Sequence, residues 1–506
     1  MKALHSLISI MRNILTLLIS IFSITQIWTQ TIPLDTPSER EMRGLWVATI
    51  NNIDWPSVPS LSADSLKAEA IVILERAKAM RLNTIFLQVR PSSDVIYRSN
   101  IEPLTYYMSG TEDTLPANFD ALFFWVEEAH KRGIELHAWI NPLRATPKPD
   151  YLCSKQHISK QHPEWLINYA DKQYLNPALP QVRQYIDSVV AEIVQRYDVD
   201  GIHFDDYFYP YPVQGEVFHD EKSYTLYNPN NLSLADWRRS NVDSLISSVS
   251  NVVHSIKPWL RFGISPFGVW RNKNADPRGS NTRAGVTDYD VLYADVLHWA
   301  EMKWIDYVVP QIYWEAGNRA VDFDELHNWW GNTFEPTGID VFVGHAVYKI
   351  NDSTKPWKNA NEMPSQILKV RSHNALSGSV FFSYRQFNRD ILGFEQKLKT
   401  DFYQHRALSV NKHQSQVLSG AQVFGLEKVS GELQWQCSNA DSVRFYVVYE
   451  YPKGNQQEES ILDIVGTQSY TLPQTGHKRT RHVVRIAPVD IYGHEYEKSE
   501  RYTVKY

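Results

Sequence analysis

The stretch Tyr197-Asp198-Val199-Asp200-Gly201-Ile202-His203-Phe204-Asp205-Asp206-Tyr207-Phe208-Tyr209-Pro210 decides how the chain is read. Residues 199–204 are a short, nearly apolar run behind a helix-patterned segment, which is the pattern of a buried parallel strand. The run stops in two carboxylates and opens into aromatics broken by prolines. An α/β enzyme keeps its chemistry at such a strand end. Strand alternation puts His203 and Asp205 on one face, and Phe204 and Asp206 on the other. For an isolated Asp-Asp pair, a helix cap and an arginine partner would suffice. The rest of the chain argues for more.

Outward from this stretch the same unit recurs. Strand patterns fall at 44–50, 83–90, 134–141, 261–267, 305–314, 341–346 and 379–384. Helical periodicity covers 66–80, 119–132 (stopped by Gly133), 180–196, 236–256, 289–302 and 364–372. Strand and helix alternate from about residue 40 to about residue 400, which predicts a (β/α)8 TIM barrel with enlarged loops. Residues 405–419 are polar and aperiodic. After them come short alternating runs at 432–436, 443–449, 469–472 and 482–488, separated by turns such as Pro452-Lys453-Gly454-Asn455. These predict a small all-β sandwich of immunoglobulin or fibronectin type III style, with Trp435 and Tyr446 in its core. The expected division is a signal peptide at 1–30, a catalytic barrel at 38–404, a linker at 405–419 and the sandwich at 420–506.

The signal reading rests on Lys2, Arg12, an apolar run at 14–27 and polar Thr29-Gln30-Thr31, with Met11 as a second possible start. An uncleaved anchor is the alternative, because no small-x-small cleavage pattern follows. No cysteine follows the run either, which argues against a lipoprotein anchor. Export to the periplasm or cell envelope, or secretion, is expected, with no stable membrane span after cleavage. Cys153 and Cys437 make neither a disulfide framework nor a zinc cluster. The net charge of -6 gives no support for nucleic-acid binding, and a monomer is expected. The 16 Trp and 28 Tyr are a heavy aromatic load, of the kind that stacks sugar rings.

Barrel sites form at the C-terminal strand ends. Those ends supply Gln88, Arg90 and Asp94; His137 and Asn141; His203, Asp205 and Asp206; Gln311, Tyr313, Trp314 and Glu315. Such acids, amides, histidines and aromatics suit a neutral polyol. No phosphate-binding glycine loop, dinucleotide fingerprint or nucleophile elbow accompanies them, so no cofactor is expected. The histidines share no helix turn or short motif, so metal binding ranks below sugar chemistry. Glycoside hydrolysis needs one ionised and one protonated carboxyl, about 5–5.5 Å apart if retaining and about 6.5–9.5 Å if inverting. Asp205 is the candidate for the ionised one, tuned by Arg90 and His203. Asp206 or Glu315 is the candidate acid, with Asp94 as a competitor. Trp139, Trp314 and Tyr207 are expected to hold sugar rings.

Arg43-Gly44-Leu45-Trp46-Val47, Gln88-Val89-Arg90-Pro91, Ala138-Trp139-Ile140-Asn141-Pro142, Asp200-Gly201-Ile202-His203-Phe204-Asp205-Asp206-Tyr207, Gly263-Ile264-Ser265-Pro266-Phe267-Gly268 and Pro310-Gln311-Ile312-Tyr313-Trp314 together resemble the glycosyl-hydrolase-like ten family of exported bacterial proteins. The resemblance spans nearly the whole barrel. It implies a glycosidase related to the α-amylase and α-galactosidase-like barrels, with the strand-four aspartate, here Asp205, as nucleophile. It also implies a site lined by Gln88, Arg90, Asn141, Gln311 and Tyr313, and a polysaccharide substrate, with peptidoglycan strands stripped of their stem peptides first. Glu315 lies just beyond the shared Gln-Ile-Tyr-Trp core, so the resemblance lends it little. The rival expectation is a barrel that binds glycan without cutting it, as an envelope scaffold.

Overall fold

The computed structural model describes residues 40–110, 115–116, 118–389, 391–410, 420–451, 459–473 and 481–505. The expected signal peptide, most of the expected linker and the 452–455 turn lie outside them.

Eight parallel strands close into a barrel: β1 (Met42–Val47), β2 (Thr84–Arg90), β3 (Glu135–Ile140), β4 (Gly201–Phe204), β5 (Arg261–Ile264), β6 (Tyr307–Val308), β7 (Asp340–Ala346) and β8 (Leu376–Phe382). Their alternation sorts the side chains. Leu45, Ile85, Ala138, Ile202 and Phe262 face outward into the main core under the helices. Trp46, Phe86, Trp139, Tyr307, Phe342 and Val380 fill the interior. Each large side chain so buried contributes about 1.5–3 kcal/mol. The bulky interior residues leave room only for glycine opposite them. A Cβ on Gly201 would lie 2.4 Å from His137 Nδ1, and one on Gly263 would lie 2.3 Å from the Tyr307 ring.

The covering helices start and stop on recognisable chemistry. Ser62 caps α1 (Ala63–Ala79) by accepting from Ser65 N, and Asp120 caps α2 (Ala121–Lys131) by accepting from Phe123 N. Gly133, at φ +65°, ends the turn after α2. Pro180 opens α3 (Pro180–Arg196), where its missing N–H has no partner to lose. Then come α4 (Leu234–Ile256), α5 (Val296–Glu301), α6 (Phe323–Phe334) and α7 (Glu362–Ser372).

Three local expectations are corrected. The helix expected at 289–302 is split: a π turn at Asp288–Leu292 ends at left-handed Tyr293, and Asp295 caps the short α5 by accepting from His298 N. A capping aspartate competes for the backbone and resets the helix start. The sixth strand is continuous only over Tyr307–Val308; Pro310 has no N–H to carry the ladder on, and pairing resumes as single bridges of Gln311 to Phe267 and Gly344. Helix α6 was not foreseen, since its aromatic and Asn-rich sequence is a weak helix former. It is held by the burial of Phe323, Trp330 and Phe334. The long excursion between β3 and α3 folds into a small antiparallel sheet of Arg144–Thr146, Leu166–Tyr169 and Lys172–Leu175.

C-terminal to the barrel lie two antiparallel sheets. One is β9 (Val423–Val429), β10 (Glu432–Cys437) and β13 (Ser469–Thr471). The other orders β12 (Ser460–Val465), β11 (Val443–Tyr451), β14 (Arg481–Asp490) and β15 (Tyr502–Lys505). Their core includes Leu433, Val448, Ile486 and the Trp435–Tyr446 pair, edge to face at 5.5 Å. Within 405–419, Leu408 is buried and packs with Phe445 and Val447 of β11. The sheets meet the barrel at the end opposite the C-terminal strand ends, where Arg444 pairs with Asp200, the residue before β4.

Candidate active site

At the C-terminal ends of the barrel strands opens a cavity of about 760 Å³. Seven of the predicted residues line it: Gln88, Trp139, Asp205, Asp206, Tyr207, Gln311 and Tyr313. Trp46, Tyr348 and Phe382 complete an aromatic wall. Asp205 and Asp206 are its only acids among the described residues.

Asp205 and Asp206 share the cavity, although strict alternation would separate them. The β4 ladder stops at Phe204, and Phe208 N then donates to Asp206 O at 3.1 Å, a tight turn that brings the second carboxylate round. The Asp205 carboxylate accepts from the Asn141 side-chain amide, from Trp139 Nε1 at 3.2 Å and from Tyr207 N at 3.5 Å. Asp206 accepts from the Tyr211 hydroxyl. Both carboxylates are 3 % exposed. Burial pushes Asp205 up to about 7; the Arg144 cation opposes that rise and the neighbouring Asp206 carboxylate adds to it. Burial likewise raises Asp206, against the hydrogen bond from Tyr211. Two like charges so placed in a low-dielectric site resist ionising together, so the carboxyls keep a proton to higher pH than free ones do. A carboxyl that stays protonated into the working range is what an acid catalyst needs.

The cation beside the pair is Arg144, not Arg90. A β-bulge sets Gln88 opposite Trp139 but Arg90 opposite Ile140, so Val89 is the extra residue and Arg90 is turned aside. Arg90 instead pairs with Glu102, its Nη2 2.6 Å from Oε1, and donates from Nη1 to the Asn141 carbonyl at 2.6 Å. It supports the β3 loop and does not touch Asp205. Arg144 comes from the excursion sheet, with its guanidinium 4.5 Å from the Tyr207 ring centroid.

The other predicted residues stand outside the cavity. Asn141 lies one layer behind, between Gln88 and Asp205. His203 and His137 are inside the barrel, below the cavity. Burial, reinforced by His137, holds the His203 pKa well below the ordinary range, so the ring is neutral. Trp46 Nε1 donates to His203 Nε2 at 3.3 Å, so the ring hydrogen sits on Nδ1 and donates to the Tyr307 oxygen at 3.2 Å. The Tyr307 hydroxyl is thereby left to donate to His137 Nδ1 at 2.8 Å. These histidines organise the barrel interior; neither reaches Asp205. Asp94 is buried beneath the Tyr151 hydroxyl and pushed up to about 8 by burial. Trp314 packs edge to face on Phe267 at 5.4 Å. Glu315 accepts from Asn318 Nδ2 at 2.9 Å and Trp357 Nε1 at 3.2 Å and does not line the cavity. Among the described residues, no group of three His, Cys, Asp or Glu side chains could hold a metal ion.

Sequence reasoning missed Arg144, Tyr211, Arg385 and Arg389. Arg144 follows the Asn141-Pro142 strand end by two residues, and Arg385 follows Tyr384 directly, so carrying each strand end a few residues further would have found them.

Three comparisons bear on this site. The glycosyl hydrolase-like 10 family matches residues 41–360. Glycosyl hydrolase YngK of Bacillus subtilis (strain 168) is 40% identical over 406 residues, covering 79% of this chain and 78% of that protein. Glycosyl hydrolase DigH of Escherichia coli (strain K12) is 37% identical over 375 residues, covering 70% of this chain and 85% of that one. Among solved structures, the PgaB (BpsB) glycoside hydrolase domain from Bordetella bronchiseptica aligns at a TM-score of 0.48 and 12% identity, over 72% of this chain and 99% of that one. No helix among the described residues is long and apolar enough to cross a membrane. From the family match and the two close relatives, the chain belongs to the glycosyl hydrolase-like 10 family and is a glycoside hydrolase.

Proposed function

We propose that the barrel at 38–404 hydrolyses glycosidic bonds in peptidoglycan glycan strands that have lost their stem peptides. Asp205 is the nucleophile or base, and Asp206, hydrogen-bonded by Tyr211, is the acid. The observation that carries the reading is the adjacent buried pair in an aromatic-walled cavity, both of whose carboxyls are raised by burial. Trp139 and Tyr207 offer flat faces to sugar rings, Gln88 and Asn141 orient Asp205, and Gln311 and Tyr313 meet substrate hydroxyls. The peptide-free substrate comes from the family resemblance of the strand-end motifs. The basic and apolar pattern of residues 1–30 supports export to the cell envelope, where a monomer would act. The test is product analysis of peptide-free and peptide-bearing peptidoglycan digested by the purified protein, beside Asp205→Asn and Asp206→Asn. Cleavage of the peptide-free strands alone, lost in both variants, is the expected outcome. Retention of those strands without cleavage would refute hydrolysis of this substrate.

A further inference from the structure

The β8 side of the cavity carries a feature that hydrolysis of a neutral glycan does not require. Phe382, Ser383, Arg385, Gln386 and Arg389 line it, and both arginines are exposed. Tyr384–Phe387 is a helical turn, and Asn388 keeps right-handed helical dihedrals after it, so Arg385 and Arg389 stand one turn apart on one side. Like charges at that spacing repel. Among the described residues neither guanidinium makes a hydrogen bond or salt bridge, and the one charge that acts on the pair across space is the buried Asp54 carboxylate, which feels Arg385. The turn that presents them is pinned: Asp54 accepts from Arg385 N at 2.6 Å, from Ser383 Oγ at 2.9 Å and from Ala48 N at 2.7 Å.

Charge around the cavity points the same way. Its lining holds three arginines, with Arg144, against two aspartates, so its formal charge is positive even with both acids ionised. The whole chain carries a net charge of -6, so this is a local reversal of sign. Two guanidinium forks on a fixed turn are suited to an oxyanion, which they bind bidentately.

We propose that Arg385 and Arg389 form an anion subsite that takes a carboxylate borne by one sugar of the glycan. This rests on the reading of the cavity as a glycan site and specifies its substrate as acidic. In peptidoglycan the muramic acid carries a lactyl carboxyl, which is free when the stem peptide has been removed and tied up as an amide when it is present. The subsite therefore gives peptide-free strands an electrostatic basis for selection, through a charge that the intact peptide linkage abolishes at that atom.

The test is calorimetric binding to the Asp205→Asn protein, where turnover does not interfere. The ligands are an N-acetylglucosamine–N-acetylmuramic acid disaccharide and the methylamide of its lactyl group. The acid should bind about tenfold more tightly than the amide, the scale of an exposed charge-assisted pair. Arg385→Gln with Arg389→Gln should bring the acid down to the amide's Kd and leave the amide where it was. Arg385→Lys with Arg389→Lys should keep part of the preference. Equal binding of acid and amide by the parent, a preference untouched by the double Gln variant, or binding of neither ligand would overturn the proposal. If the preference behaves as expected but the wild-type protein cleaves no peptide-free strand, the anion subsite stands and hydrolysis of that substrate fails. Cleavage without the preference has the opposite meaning.

Discussion

Asn141 hands its side-chain amide to the Asp205 carboxylate while its own side-chain oxygen accepts from Gln88 Nε2 at 2.6 Å. The orientation of both amides is determined, because Gln88 Oε1 accepts from Thr49 N and Ile50 N at 2.9 Å each. Backbone donors at the end of β1 therefore decide which end of Asn141 faces the carboxylate. Asn141→Ala is expected to lower kcat about a hundredfold with little change in KM, as loss of an orienting donor does. Initial rates on peptide-free strands check this, with circular dichroism to show an unchanged fold. A kcat within threefold of wild type would rule out the orienting role.

The raised Asp205 carboxyl predicts a pH dependence in stability as well as rate. The Asp205 pKa is raised in the folded state to about 7 from an ordinary value near 4. A raised carboxyl binds its proton more tightly when folded, so it favours the fold fully at acid pH. That contribution is lost as pH climbs through about 7. Asp205→Asn keeps the shape without the titration. The variant should gain in Tm relative to wild type on going from pH 4.5 to pH 8. The wild-type kcat/KM should fall on the alkaline side as the pair loses its last proton. A Tm difference independent of pH would mean that the surroundings do not raise the Asp205 carboxyl.

How much of this was legible in the chain depended on where alternation ran undisturbed. His203, Trp139 and Asn141 project as their period of two requires, and Asp205 follows from the same rule. The rule failed where the backbone left the ladder. The bulge at Val89 turned Arg90 toward Glu102, and the turn after Phe204 brought Asp206 in beside Asp205. Neither event leaves a mark in residue type. Glu315 shows a different limit: proximity in sequence to Tyr313 is not proximity in space, and Trp357 and Asn318, distant or unremarkable in the chain, hold its carboxylate off the cavity. Arg144 lay within reach of the Asn141-Pro142 strand end, but that it turns toward Tyr207 and the aspartates depends on a small sheet built from residues up to Leu175, which local pattern does not foretell.

The interior glycines are expected to be intolerant of one carbon. At Gly263 a Cβ would lie 2.3 Å from the Tyr307 ring, whose hydroxyl ties His137 to His203. Gly263→Ala should destabilise by about 1–3 kcal/mol, the usual cost of overpacking, with a Tm lower by about 2–6 °C. Gly285→Ala is the control, since nothing lies within 4 Å of its added carbon. Differential scanning calorimetry of the two separates packing from chain entropy. Equal Tm values would show that the barrel interior has slack that its geometry denies.

The C-terminal sheets should act on the barrel through one buried charge. Arg444 of β11 pairs with Asp198, with Nη2 2.9 Å from Oδ1, and its Nε lies 3.1 Å from Asp200 Oδ1. Asp200 Oδ2 in turn accepts from Leu136 N at 2.7 Å and meets His130 Nε2 at 2.8 Å. Burial alone would raise the Asp200 pKa, but the His130 and Arg444 charges outweigh it and hold the group well below the ordinary carboxylate range. Asp200 therefore contributes stability above its unfolded pKa, and that contribution fades as pH falls below about 4. Arg444→Leu leaves a buried carboxylate with one partner fewer and should cost about 3–5 kcal/mol at pH 7. Asp200→Asn added to Arg444→Leu should recover part of that loss, because the stranded charge is gone. Both effects sit at the barrel end remote from Asp205, so the kcat of folded enzyme at 25 °C should change less than twofold. Chemical denaturation of the single and double variants, with rates measured beside it, checks the pair. A single variant as stable as wild type would mean that His130 and the Leu136 N–H suffice to hold Asp200, and a large loss of kcat would mean that strain at the root of β4 reaches Asp205.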